Sequence, residues 1–275
     1  MVIRIFILAI IMLVAWGNIV LAAVPPKIEA EAAVLMVLGD NGDNLVLYGK
    51  NSTRRMYPAS TTKIITLITA LEKGNLNGIV TTSPRSAACE GSSLELKAGD
   101  KLILREALYG MMLTSGNDAA EAIAETVAGS VPDFVAMMNE EARKMGATLT
   151  HFANPHGLPD VEHFSTAYDL ALFTAYGMKN PTFAKIVSTR EYDVNFLKRR
   201  KVHLVNTNKL LGSYAGANGV KTGFTNAAGD CLVAAAKRGN VQLIAVILND
   251  DNRWEDAAKL FDYGFTQMAL DDSTK

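Results

Sequence analysis

The spacing of apolar and polar positions changes twice along this chain. Ala33 to Leu38 and Leu45 to Tyr48 are short apolar runs of strand length. Asp40-Asn41-Gly42-Asp43 between them has the composition of a tight turn, so the pair reads as a hairpin. Pro58 then opens a helix at a position that tolerates proline. The helix continues through Ser60 and Leu71 and stops near Gly74, with apolar side chains on most of its faces, which predicts burial in the middle of the molecule.

Helical spacing dominates from 104 to 178, in Arg105 to Leu113, Asp118 to Ala128, Asp133 to Met145 and Ala167 to Met178. Ser130-Val131-Pro132-Asp133 and Thr166-Ala167-Tyr168-Asp169 read as capping boxes, with Asp reaching back. Strand patterns then return in Val220 to Phe224, Cys231 to Ala236 and, after the turn Arg238-Gly239-Asn240, Val241 to Leu248. A closing helix is expected from about Trp254 to Tyr263. Strands, helices, then strands and a helix predict an α+β fold. An antiparallel sheet is built from both chain ends, and a helical lobe, about 80–180, is inserted between its halves.

The first 22 residues stand apart. Arg4 is their only charge, an apolar run from Ile5 to Trp16 follows, and Val20-Leu21-Ala22 offers small residues before Ala23. This is the layout of a secretory signal peptide, which leaves 23–275 as a single mature domain working outside the cytoplasm. Membrane association is expected only if that segment stays uncleaved. With 49% hydrophobic and 20% charged residues, the chain can bury a core and is not disordered. A formal charge of −1 carries no footprint for nucleic acid.

Cys89 and Cys231 are the only cysteines, too few to form a disulfide framework, and Cys231 sits in a run that reads as a buried strand. Two free thiols are expected. His151, His156, His163 and His203 show no zinc-ligand spacing, so no metal site and no cofactor are expected.

Three short motifs carry the chemistry: Ser60-Thr61-Thr62-Lys63, Ser115-Gly116-Asn117 and Lys221-Thr222-Gly223. Each is weak alone, and their order and spacing make the set specific. On a helix, residues three apart share a face, which sets Lys63 beside Ser60. A serine hydroxyl becomes a useful nucleophile when a neighbouring base takes its proton. Desolvation by Ile64, Ile65 and Leu67 lowers the pKa of Lys63 toward that role. Ser60 near a helix start also has a backbone N–H free to face an oxyanion.

Ser115 and Asn117 are expected to project from a loop between helices, Ser115 as a proton relay and Asn117 holding the substrate amide. Lys221, Thr222 and Gly223 on an edge strand would meet a peptide carboxylate and let its backbone approach. The Phe224 N–H is the second oxyanion donor, and its ring is expected to pack. His156, between Asn154-Pro155 and Gly157, reads as a turn residue rather than a triad member.

At these residues the chain resembles the low-molecular-mass penicillin-binding proteins, the serine D-alanyl-D-alanine carboxypeptidases of peptidase family S11. Tyr57-Pro58-Ala59, Asn117-Asp118-Ala119-Ala120, Phe152 with Asn154-Pro155-His156-Gly157-Leu158, Ser165-Thr166-Ala167-Tyr168-Asp169-Leu170 and Ala227-Ala228-Gly229 extend the likeness from Ala33 to about Gly264. The resemblance implies a serine β-lactamase-like fold and, as substrate, peptidoglycan pentapeptide stems ending in D-Ala-D-Ala. It implies an acyl-serine intermediate on Ser60 and inhibition by β-lactams. Larger members carry a C-terminal β domain and an anchoring helix, for which this chain leaves no room after its closing helix. Release, or retention by the N-terminus, is expected instead.

A class A β-lactamase would carry a Glu-x-x-Leu-Asn segment, which is missing between Asn117 and Lys221. A transpeptidase differs only in its acceptor and stays open. A catalytically silent wall-binding protein would be expected to have lost Ser60 or Lys63.

Overall fold

The computed structural model describes residues 24–39, 43–198 and 200–272. The expected signal segment and residues 40–42 of the expected turn lie outside the described residues. The hairpin itself is present: β1 (Ala32–Val37) pairs antiparallel with β2 (Leu45–Lys50). A 3-10 turn over Ala59–Thr62, with Pro58 as its cap, runs into α1 (Lys63–Lys73), which stops at Gly74. The segments β3 (Ile79–Thr81), α2 (Pro84–Ala87) and β4 (Lys101–Ile103) follow, with β3 and β4 paired.

The helical lobe comprises α3 (Leu104–Leu113), α4 (Asn117–Ala128), α5 (Val131–Lys144), α6 (Ala167–Met178) and α7 (Pro181–Ser188). A small hairpin, β5 (Glu191–Asn195) with β6 (Lys201–Val205), and the short α8 (Leu210–Ser213) lead back to the sheet. There β7 (Ala217–Thr225), β8 (Gly229–Arg238) and β9 (Val241–Leu248) precede α9 (Arg253–Asp272).

The main sheet is antiparallel in the order β2-β1-β9-β8-β7, so strands from the two chain ends meet at β1 and β9. Successive side chains of a strand point to opposite faces, and both faces here are covered. Val34, Met36, Val233, Ala235, Ile244 and Val246 join the core shared with α1, α3, α4 and α6. Leu35, Leu232, Ala234, Leu243 and Ile247 pack behind the sheet on Ala257, Leu260 and Phe261 of α9. Double coverage is why these strands read as unbroken apolar runs rather than alternating ones. Helix α1 lies inside the first core, with every residue from Lys63 to Ala70 buried. The α+β architecture with an inserted lobe is therefore as the patterning implies.

Several details differ from that reading. Helix α9 continues beyond Tyr263 because Phe265 and Met268 also pack against the core behind the sheet, and Arg238 lies over the Phe265 ring. The two capping boxes are half boxes. Ser130 Oγ and Thr166 Oγ1 accept from the N–H of Asp133 and Asp169. The Asp133 carboxylate accepts the Ser130 hydroxyl, and that of Asp169 turns away to Leu149 N–H and Thr150. Asp is one methylene shorter than the Glu that completes such a box.

The β5–β6 hairpin escaped the patterning because polar residues interrupt it. Tyr192 fixes it, stacking on Tyr109 with ring centroids 3.7 Å apart and donating its hydroxyl proton to Glu106.

Phe261 is fully buried behind the sheet, away from the motif residues. Phe261→Ala is expected to lower stability by about 3–5 kcal/mol through the cavity it leaves. Urea denaturation measures the loss.

Candidate active site

Three chain segments converge on the nitrogen of Lys63. Lys63 Nζ lies 3.0 Å from Ser60 Oγ, 2.7 Å from Asn117 Oδ1 and 2.8 Å from the carbonyl oxygen of His156. Asn117 Nδ2 donates to Glu90 O at 2.7 Å, which fixes the amide orientation and leaves Oδ1 for the lysine. Lys63 is fully buried. Burial, then the neighbouring charge of Lys221, hold its pKa well below the ordinary lysine value. A neutral amine has two N–H donors and one lone pair. The two carbonyl oxygens can only accept, so they engage the donors and the lone pair is left facing the Ser60 hydroxyl.

Backbone geometry sets this convergence. Ala59, immediately before Ser60, has φ +46°, and Ser115 has φ +65°, left-handed conformations that non-glycine residues adopt at a cost. Gly157 has φ +96°, and a Cβ there would stand 1.9 Å from Ala59 O, so only glycine lets the 154–157 loop close on the Ser60 turn. That approach delivers the His156 carbonyl to Lys63. Gly223 has a related duty: a Cβ there would lie 3.1 Å from Ser60 N. The expectation that Gly223 makes room for a substrate therefore gains a nearer reason, since β7 first has to fit against the Ser60 turn.

Asn117 is the first residue of α4, with Gly116 as the cap, rather than a loop residue as expected. The adjacent Asp118 is buried and gathers four donors: the N–H groups of Leu94, Leu96 and Ala119, and the Ser93 hydroxyl at 2.6 Å. It clamps the 93–96 segment to the start of α4. The Asn117 N–H bonds Ser92 O on the same stretch. Ser115 is buried close by, but no hydrogen bond joins its hydroxyl to Lys63 among the described residues.

On the other wall, β7 is a sheet edge. Lys221 is 1% exposed and donates to Thr222 O. Burial, then the nearby Arg253, bring its pKa down to about 7. Thr222 Oγ1 is 2.7 Å from Thr207 Oγ1, and the Thr207 N–H bonds Leu113 O, which ties β7 to the end of α3. Arg253 bonds Gly223 O at 2.9 Å and pairs with Asp230, bracing the edge from behind. Phe224 is 60% exposed on the edge strand, so its expected packing role does not hold.

Sequence reasoning assigned no role to the His156 carbonyl, Asp118, Thr207 or Arg253. Two of them lay in segments it did single out, Asn154-Pro155-His156-Gly157 as a turn and Asn117-Asp118-Ala119-Ala120 as part of the resemblance. Cys231 is a free, buried filler of β8, and Cys89 is free and half-buried near Lys63.

The family model of D-alanyl-D-alanine carboxypeptidases, peptidase S11, matches residues 19–252. This chain belongs to the peptidase S11 family. Among S11 relatives, D-alanyl-D-alanine carboxypeptidase DacF of Bacillus subtilis is 40% identical over 247 residues, covering 87% of this chain and 63% of DacF. D-alanyl-D-alanine carboxypeptidase DacB2 of Mycobacterium tuberculosis is 37% identical over 238 residues, 83% of this chain and 81% of DacB2. The crystal structure of the Streptomyces K15 DD-transpeptidase superposes with a TM-score of 0.82 at 36% identity, over 88% of this chain and 99% of that one. The S11 chain described here therefore has the penicillin-binding fold, and it spans less than two thirds of the length of some curated relatives.

Asp118→Asn would turn an NH2 group toward N–H donors in a buried setting. A loss of about 2–4 kcal/mol is expected from the unpaired groups, measured by chemical denaturation. Penicillin acylation should slow in the fraction that remains folded, because Asn117 loses its support.

Proposed function

We propose that this S11 chain is a serine D-alanyl-D-alanine carboxypeptidase that removes the terminal D-alanine from peptidoglycan stem peptides. The observation that carries this reading is the fully buried Lys63 amine 3.0 Å from Ser60 Oγ, its pKa lowered by burial. Ser60 Oγ attacks the carbonyl carbon of the penultimate D-alanine, and its proton passes to Lys63 Nζ. The N–H groups of Ser60 and Phe224 receive the oxyanion. Collapse breaks the peptide C–N bond, and the departing D-alanine amine takes the proton from Lys63 through Ser115. Water then cleaves the acyl-serine ester and restores the hydroxyl.

Asn117 holds both Lys63 and the substrate amide. Lys221 and Thr222 hold the terminal carboxylate, while the open edge of β7 receives the extended stem. β-Lactams, which mimic the dipeptide, acylate Ser60 by the same route. The signal-like first 22 residues support work outside the cytoplasm, in the periplasm, on the outer face of the cytoplasmic membrane, or after secretion.

A second reading, transpeptidation, is favoured by the likeness to the K15 chain, which is named a DD-transpeptidase. It shares every step up to the acyl-enzyme and differs in using an amine in place of water.

Mass spectrometry after mixing with benzylpenicillin tests the shared step. A covalent adduct on the wild type and none on Ser60→Ala is expected, and an unmodified, folded wild type would overturn the proposal. Product analysis with a D-Ala-D-Ala peptide, with and without added glycine, separates hydrolysis from transfer.

The two lysines act in opposite directions with pH. Acylation rises as Lys63 loses its proton, and it falls as Lys221 loses the charge that attracts the carboxylate, centred near pH 7. In Lys221→Arg, which stays charged, the falling limb should be absent from the stopped-flow pH profile. Its persistence there would refute the assignment.

A further inference from the structure

Near Lys63 the fold brings together three side chains from three separate segments. Cys89 lies on the stretch after α2, Glu121 on α4 and His156 on the loop that supplies the carbonyl to Lys63. Cys89 Sγ, a Glu121 carboxylate oxygen and a His156 ring nitrogen lie within 4.8 Å of one another. Neither the spacing of the histidines nor the number of cysteines indicates this grouping, and the acyl-transfer chemistry uses none of the three side chains.

We propose that Cys89, Glu121 and His156 form a zinc-binding site adjoining the catalytic lysine. The donor set is one thiolate, one imidazole and one carboxylate, a combination suited to four-coordinate zinc, with a water in the remaining position. The dimensions agree. Two ligands about 2.0–2.1 Å from a tetrahedral zinc stand about 3.3–3.4 Å apart, and His156 Nε2 is 3.4 Å from Glu121 Oε1. The other carboxylate oxygen, Oε2, is held by Arg85 Nε at 3.0 Å, an outer partner of the kind that orients a ligating carboxylate. Glu121 and His156 are both buried, and the half-buried Cys89 leaves a path from solvent.

The proton balance is defined. His156 Nδ1 accepts the Leu158 N–H at 3.2 Å, so the ring proton sits on Nε2 and faces Glu121. On binding, Nε2 bonds zinc and the ring proton moves to Nδ1, which gives up the Leu158 contact. The Cys89 thiol loses its proton to solvent as the sulfur–zinc bond forms. At neutral pH an ordinary thiol keeps its proton, while a carboxylate is ionised and an imidazole is mostly neutral. One proton is therefore released per zinc near neutral pH, and affinity rises with pH.

The site adjoins the catalytic centre through backbone that both share. His156 supplies its carbonyl to Lys63, and Glu90, next to Cys89, accepts from the Asn117 amide. Zinc held here bears on the two contacts that orient the lysine. The proposal does not depend on the substrate assigned above.

Cobalt substitution tests it in the full mature protein. Co2+ should produce the visible bands of a four-coordinate ion and a near-ultraviolet sulfur-to-cobalt transition, both removed by one equivalent of Zn2+. Calorimetry in two buffers of different ionisation enthalpy should report one proton released per zinc. Cys89→Ser should abolish the sulfur transition, and both Cys89→Ser and Glu121→Gln should weaken zinc binding at least tenfold. Each variant must still form the benzylpenicillin adduct, which separates a lost metal site from a misfolded protein or a failed acyl-transfer reading. If Cys89→Ser does not fold, protection of wild-type Cys89 from iodoacetamide by Zn2+ gives the same answer, because Cys231 is buried. No uptake at micromolar zinc, uptake unchanged in both variants, or no protection of Cys89 would overturn the site.

Discussion

The burial of a single amine organises this molecule. An ammonium group held in a protein interior is costly, and the cost falls when the group sheds its proton or is surrounded by well-placed acceptors. Lys63 has both forms of relief available: a pKa pulled down by burial and three oxygens at hydrogen-bond distance. Those oxygens belong to the Ser60 turn, the start of α4 and the 154–157 loop. The lysine can therefore be accommodated only where the Ser60 turn, the start of α4 and the loop are all in place. Chemical competence and correct assembly become one condition.

The supports around it follow from that requirement. Asp118 holds the 93–96 segment against the start of α4, Gly157 lets the loop approach, and Gly223 seats β7 against the turn that carries Ser60. The strained residues Ala59 and Ser115 belong to the same arrangement. Packing on both faces of the sheet provides the rigidity against which this strain is maintained. Two walls of different character result, a dry one built on α1 and α4 and an open strand edge on β7.

Much of this was legible in the sequence, and the exceptions have physical reasons. Ser60 and Lys63 are three residues apart on a helical segment, so their contact is local and a spacing argument finds it. The central strands announce themselves because β8 and β9 are apolar on both faces. The His156 carbonyl is a main-chain group, and main-chain atoms leave no mark on residue identity. Only the neighbouring Gly157 hinted that this backbone is special. Asp118 and Thr207 act across long sequence separations, which a periodicity cannot register. Phe224 looked like core by residue type, yet it sits on an edge strand with no element beyond it. The grouping of Cys89 with Glu121 and His156 likewise exists only after α2, α4 and the loop are packed.

The pairing of β1 with β9 also governs when this architecture can come into being. Residues 32–37 emerge early in synthesis, but their partner on one side is the last strand of the sheet. Until 241–248 have been made, β1 has only its hairpin neighbour, and the apolar faces of the early helices have no sheet to cover them. Contacts of such long range close late and slowly. A growing chain of this design therefore keeps the apolar faces of its sheet and early helices unmatched until β9 has been made.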